Sequence, residues 1–160
     1  MDEMVITLKV GRFSTADELS AKEQQLLEAA GKASEHAYAP YSNFYVGAAL
    51  LLADGSVETG VNQENAAYPM CLCAERAALA SAASRKPGIP VLKIAVRARH
   101  AQKLIDRPVG PCGACRQTLS EWEDRFSQDI VVLLQGEKGT VYRLSRAKDL
   151  LPLSFDGSFL

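Results

Sequence analysis

Three of the four cysteines in this 160-residue chain stand where helices are expected to begin, and that placement restricts the fold strongly. Cys73 directly precedes an alanine-rich run, Ala74, Ala77, Ala78, Ala80, Ala82 and Ala83, that ends before Pro87-Gly88. Cys112 and Cys115 sit in Pro111-Cys112-Gly113-Ala114-Cys115. From there Cys112, Cys115, Leu119, Trp122 and Phe126 recur at steps of three, four, three and four, the period of one helix face. A helix N-terminus presents free amides and a partial positive charge, which favours thiolate over thiol. Cys112 and Cys115 lie one turn apart and can reach a single ion. For Cys73 to join them, the two helix starts must lie together.

Three thiolates fit tetrahedral zinc with the fourth position left for water, the arrangement of a catalytic centre. Zinc makes hydroxide available near neutral pH. Glu75, two residues beyond a ligand, is placed to move the water's proton without coordinating the metal. Arg76 beside it would offset the anionic cluster by donating to thiolate sulfur. A Cys-x-x-Cys pair alone is equally compatible with a redox couple or a structural zinc. Cys71 would close the site if it were a fourth ligand; a small buried thiol is its simpler role.

The rest of the chain supplies a frame. With 48% apolar residues and this length, one domain can bury roughly 70% of its unfolded surface without disulfide staples. Eighteen basic and 19 acidic residues give a net charge of -1, which argues against a dedicated nucleic-acid binder. No stretch has the length of a membrane span, and the N-terminus lacks the basic region of a signal peptide, so the cytoplasm is the expected compartment. Residues 1–19 read as an N-terminal extension with a short strand over Met4–Val10; residues 20–160 read as a single domain.

Ser20 and Glu23 have capping-box spacing, and a helix follows to about Tyr38, ended by Pro40. Phe44–Ala53 and Ser56–Asn62 are expected strands around Asp54-Gly55, read as a two-residue hairpin turn. Val91–Ala98, Ile130–Leu134 and Thr140–Leu144 are further strands. Pro111 is expected to open the last long helix. The order predicts an α/β domain, with helices packed on a mixed sheet.

The compound pattern of Cys73-Ala74-Glu75 and Pro111-Cys112-Gly113-Ala114-Cys115 is that of zinc nucleoside and nucleobase deaminases. Together with Tyr41-Ser42-Asn43-Phe44, Val46-Gly47-Ala48-Ala49, Asn62-Gln63-Glu64-Asn65-Ala66, Arg76 and Arg116-Gln117, it resembles the cytidine deaminases over about residues 20 to 155. Cysteine at position 73 resembles the short homotetrameric class with all-cysteine ligation.

The resemblance implies a three-layer α/β/α fold with about five strands and one Zn2+ per chain, held by Cys73, Cys112 and Cys115. It implies hydrolysis of cytidine and 2'-deoxycytidine to uridine, 2'-deoxyuridine and ammonia, in pyrimidine salvage. Hydroxide activated by zinc would attack C4, with Glu75 as the proton shuttle. Asn62 and Glu64 would hold the ribose hydroxyls, Phe44 and Ala74 would contact substrate, and Phe155 would reach a neighbouring subunit's pocket.

A blasticidin-S-type or nucleotide deaminase shares the zinc motif, and a noncatalytic zinc module or a redox protein stands as the alternative outside that class. His36, His100 and the basic run Arg97, Arg99, Lys103 and Arg107 have no ligand spacing and are expected at the surface.

Overall fold

The computed structural model describes residues 1–160. Six strands form one mixed sheet: β1 (Gly11–Phe13), β2 (Phe44–Leu52), β3 (Val57–Val61), β4 (Val91–His100), β5 (Val131–Gln135) and β6 (Val141–Leu144), in the order β1-β6-β5-β4-β2-β3. Helix α1 (Ala21–Ala33) covers one face, while α2 (Ala74–Arg85) and α3 (Gly113–Phe126) cover the other. The three-layer α/β/α expectation holds. The sixth strand comes from the N-terminal extension, whose β1 pairs antiparallel with β6.

Strand directions explain why two helices start at the same place. β3 and β4 both run antiparallel to β2, so they are parallel to each other, and β5 is parallel to β4. The crossovers β3–α2–β4 and β4–α3–β5 step across the sheet in the same direction. Connections of one hand therefore place both helices on one face. Each helix follows the carboxyl end of a strand, the end where open α/β sheets build their sites.

The helices lie close to the strands because glycine allows it. A Cβ on Gly60 of β3 would stand 2.2 Å from the Ala78 nitrogen of α2, and one on Gly47 of β2 would stand 2.0 Å from the Ala30 oxygen of α1. The small residues Ala74, Ala78 and Ala82 complete the α2 contact and are fully buried.

Glu23 joins the start of α1 to the sheet. The Ser20 hydroxyl donates to its Oε2 at 2.8 Å and the Ser20 backbone N–H at 3.4 Å, as the capping-box spacing predicted. Its Oε1 accepts from Lys93 of β4 at 2.7 Å and from Arg143 of β6 at 3.1 Å. Burial alone would raise the carboxyl, but these donors outweigh it and hold it at about 2, against 4.5 ordinarily.

Local expectations needed correction in three places. Met4–Val10 forms no strand; the pairing falls on Gly11–Phe13, opposite the short β6. The Asp54-Gly55 hairpin has a three-residue loop. The Leu52 N–H bonds to Ser56 O and the Gly55 N–H to Leu52 O, with Gly55 left-handed at φ +83°. Pro111 lies outside α3, since Cys112 is the N-cap and Gly113 the first helical residue.

Two outcomes follow from these contacts. Gly60→Ala forces α2 away from β3 at a cost of about 1–3 kcal/mol, so the melting temperature drops by several degrees; an unchanged melting curve would contradict the close approach. Glu23→Gln costs on the order of 3 kcal/mol at neutral pH. A lowered carboxyl stabilises above its unfolded value and loses that contribution as pH falls from about 4.5 to about 2. Denaturant unfolding across that range should show parent and variant converging at acid pH, and parallel curves would refute the assignment.

Candidate metal centre

Cys73 is the N-cap of α2 and Cys112 the N-cap of α3, so both sulfurs stand at the positive ends of helices. Cys115, one turn into α3, is fully buried. The Cys73 and Cys112 sulfurs are 3.7 Å apart, those of Cys112 and Cys115 3.5 Å apart, and all three lie within 4.8 Å of one another. Tetrahedral zinc with sulfurs at about 2.3 Å requires sulfur–sulfur separations of about 3.8 Å. The three cysteines thus fit the metal in number, chemistry and spacing.

Their electrostatics point the same way. The neighbouring Cys115 thiol holds Cys73 at about 6, against 9.0 ordinarily. Burial opposes this, Cys112 adds to it, and the charges of Glu75 and Arg76 act in opposite senses. The same neighbour pair acting in reverse, then burial, pushes Cys115 up. One sulfur ionises easily and the next resists. A bound divalent cation removes that conflict, because coordination deprotonates a thiol outright.

A cavity of about 270 Å³ opens beside the sulfurs. Cys73, Cys112, Ala74, Glu75, Phe44, Asn62 and Glu64 are all among its lining residues. Glu75 is only 5% exposed, and burial raises its carboxyl above the ordinary range, against the lowering effect of its own backbone amide and of Cys115.

Asn62 and Glu64 are already engaged. The Asn62 side chain accepts from the Val46 N–H at 2.7 Å and donates to the Phe44 carbonyl at 2.9 Å. Glu64 accepts from the Tyr41 N–H at 2.9 Å, the Ser42 N–H at 3.3 Å and the Ser42 hydroxyl. The Ser42 hydroxyl is the first cause of its lowered carboxyl.

Other expected residues fall elsewhere. Phe155 is 59% exposed, stacks on Phe159 at 5.6 Å and does not line its own chain's cavity. Arg76 makes no hydrogen bond to a sulfur, and its effect on Cys73 is through its charge alone. Cys71 is not part of the three-sulfur cluster. Its sulfur accepts from the Asn65 N–H at 3.3 Å, and it lines the cavity, a position its sequence context did not reveal. Val109 and Gly110 also form the cavity wall. They lie in a segment without helical or alternating apolar period, so sequence reading passed over them. His36 is exposed, and neither histidine approaches the sulfurs.

Residues 20–132 match the family model described as the cytidine and deoxycytidylate deaminase zinc-binding region. A cytidine deaminase of Halalkalibacterium halodurans is 45% identical over 132 residues, covering 82% of this chain and 92% of the relative. One of Sporosarcina psychrophila is 43% identical, with 82% and 90% covered. The crystal structure of cytidine deaminase from Burkholderia pseudomallei superposes with a TM-score of 0.71 at 46% identity, over 82% of this chain and 97% of that one. With its three-sulfur cluster at paired helix starts, the chain belongs to the cytidine and deoxycytidylate deaminase family and carries that family's zinc-binding region.

Proposed function

We propose that this protein hydrolyses cytidine and 2'-deoxycytidine to uridine and 2'-deoxyuridine, releasing ammonia. One observation carries the reading: a single cavity joins the sulfur cluster, the buried Glu75 and the Asn62–Glu64 pair. The relatives named cytidine deaminase support the substrate.

Zinc held by Cys73, Cys112 and Cys115 supplies the Lewis acidity that makes water nucleophilic near neutral pH. Water adds across the C4–N3 double bond, with oxygen going to C4 and one proton to N3. Glu75 takes that proton on its carboxylate and hands it to N3. It then passes the second proton to the amino nitrogen as the C4–N bond breaks and ammonia leaves. A carboxyl raised by burial is suited to both accepting and giving a proton near neutral pH.

Asn62 keeps one N–H and one lone pair, and Glu64 keeps a lone pair on Oε1, enough to receive ribose hydroxyls. Phe44 packs on the substrate and Ala74, which also lines the cavity, contacts it. The charge of Arg76 eases the anionic cluster. Residues 20–160 act as one catalytic domain and residues 1–19 as its extension.

The functional form in this reading is a homotetramer. The exposed Phe155 does not line its own cavity and is free to enter a neighbour's. A reducing compartment, the cytoplasm, suits a protein whose four cysteines are all unpaired. No helix is long and apolar enough to cross a membrane.

Ultraviolet absorbance of cytidine, run with zinc analysis, tests the proposal. The parent converts cytidine with one zinc per chain. Glu75→Ala loses about 10²–10⁴-fold in turnover and keeps its zinc. Zinc lost from that variant would make Glu75 a ligand and void the mechanism. A zinc-loaded parent that spares cytidine would refute the substrate and direct attention to blasticidin-like or nucleotide substrates.

A further inference from the structure

Cys112 is the ligand least held by packing. Cys115 is fully buried and Cys73 is half-buried, but Cys112 is exposed, as are Gly110 before it and Gly113 after it. The buried Pro111 anchors the turn before it, the Arg116 N–H donates to the Cys112 carbonyl at 3.0 Å, and the Arg116 side chain braces the turn. Its Nε donates to the Pro111 carbonyl at 2.9 Å, and one Nη donates to the Leu150 carbonyl at 2.9 Å. The other Nη lies alongside Gly110, 3.7 Å from where a Cβ would stand.

The far end of this brace is anchored. Leu150 ends the 3-10 turn Ala147–Leu150. The Ala147 and Lys148 amides donate to Glu123 of α3 at 2.8 and 3.0 Å, and Glu123 also accepts from the Ile130 N–H at 2.7 Å. The guanidinium thus spans from a turn pinned to α3 to the strip of chain that carries Cys112 and, through Gly110, lines the cavity. A cation in the first turns of a helix opposes the helix dipole, a cost that these two bonds offset. Only a planar fork meets two carbonyls on different segments this way.

We propose that Arg116 is a positioning residue for the metal centre. It fixes the Pro111–Cys112 turn, and thereby sets how firmly zinc is retained and where the Gly110–Cys112 wall of the cavity stands. The proposal rests on the zinc reading above and extends it to a residue that touches neither metal nor substrate.

The test compares zinc-loaded parent, Arg116→Lys and Arg116→Gln. Zinc release to a chromogenic chelator should rise about 10–100-fold in Arg116→Gln. In the cobalt-substituted protein, the thiolate-to-cobalt absorption should shift in the same variant. Arg116→Lys keeps the charge and the stem but not the fork, and should restore only part of the retention; it carries the test if Arg116→Gln does not fold. Leu27→Ala, in the core on the opposite sheet face, serves as the control for stability loss alone and should release zinc at the parental rate.

Release from Arg116→Gln no faster than from that control would overturn the brace, as would complete rescue by lysine, which would leave only charge. A parent that holds zinc yet spares cytidine would sink the substrate assignment while leaving the brace to stand on its release rates. A parent that binds no zinc would overturn both.

Discussion

Three sulfurs within 4.8 Å of one another make a cluster that cannot ionise fully by itself, and the architecture around it is arranged to make that crowding tolerable. The remedy begins at the level of topology. Because β3, β4 and β5 run in one direction, α2 and α3 begin at the same end of the sheet and on the same face. Each brings its unpaired amides to the same point, so two helix dipoles favour the charge that the cysteines must carry. The closeness of α2 to the sheet, permitted by Gly60, fixes how far Cys73 reaches. A fold with the same helices on opposite faces would keep the sequence motif and lose the centre.

This explains which parts of the site were legible in the sequence. The three clustered cysteines were, because each is tied to a helix start marked by local residues: alanines after Cys73, a proline before Cys112. The capping box of Ser20 and Glu23 was legible for the same reason. The partners of Glu23 were not, since Lys93 and Arg143 lie 70 and 120 residues away, and nothing in a local pattern announces a pairing of a helix side chain with distant strands. Val109 and Gly110 escaped because a cavity wall made of irregular chain has no period. The sixth strand was expected a few residues too early. The apolar residues of Met4–Val10 looked like a strand, whereas the pairing was decided by where β6 offers a free edge.

The expected ribose-binding pair shows a different limit. Sequence reading assigned Asn62 and Glu64 a single task, yet both side chains hold backbone as well. Asn62 bridges Phe44 and Val46 on β2, and Glu64 gathers the Tyr41–Ser42 turn. Residue type alone cannot separate a polar group reserved for a ligand from one that also ties the chain. The distinction appears only when its bonds are counted.

That double use bears on how the cavity would work. A free asparagine or glutamate must give up rotamer freedom when it grips a ligand, which weakens binding. Here the orientation is fixed before any ligand arrives, by strands and turns that the fold already needs. The backbone bonds spend part of each side chain's capacity and leave the remainder aimed from a fixed point. Glu75 is constrained in a related way, by burial in the first turn of α2, two residues from the cysteine that caps the same helix. A site built this way depends little on flexible loops for its precision, except along Gly110–Cys112. Gly110 and Cys112 are exposed on either side of the buried Pro111, whose carbonyl is held by a side-chain hydrogen bond. The Gly110–Cys112 wall of the cavity therefore also carries the most exposed of the three clustered cysteines, so whatever steadies one steadies the other.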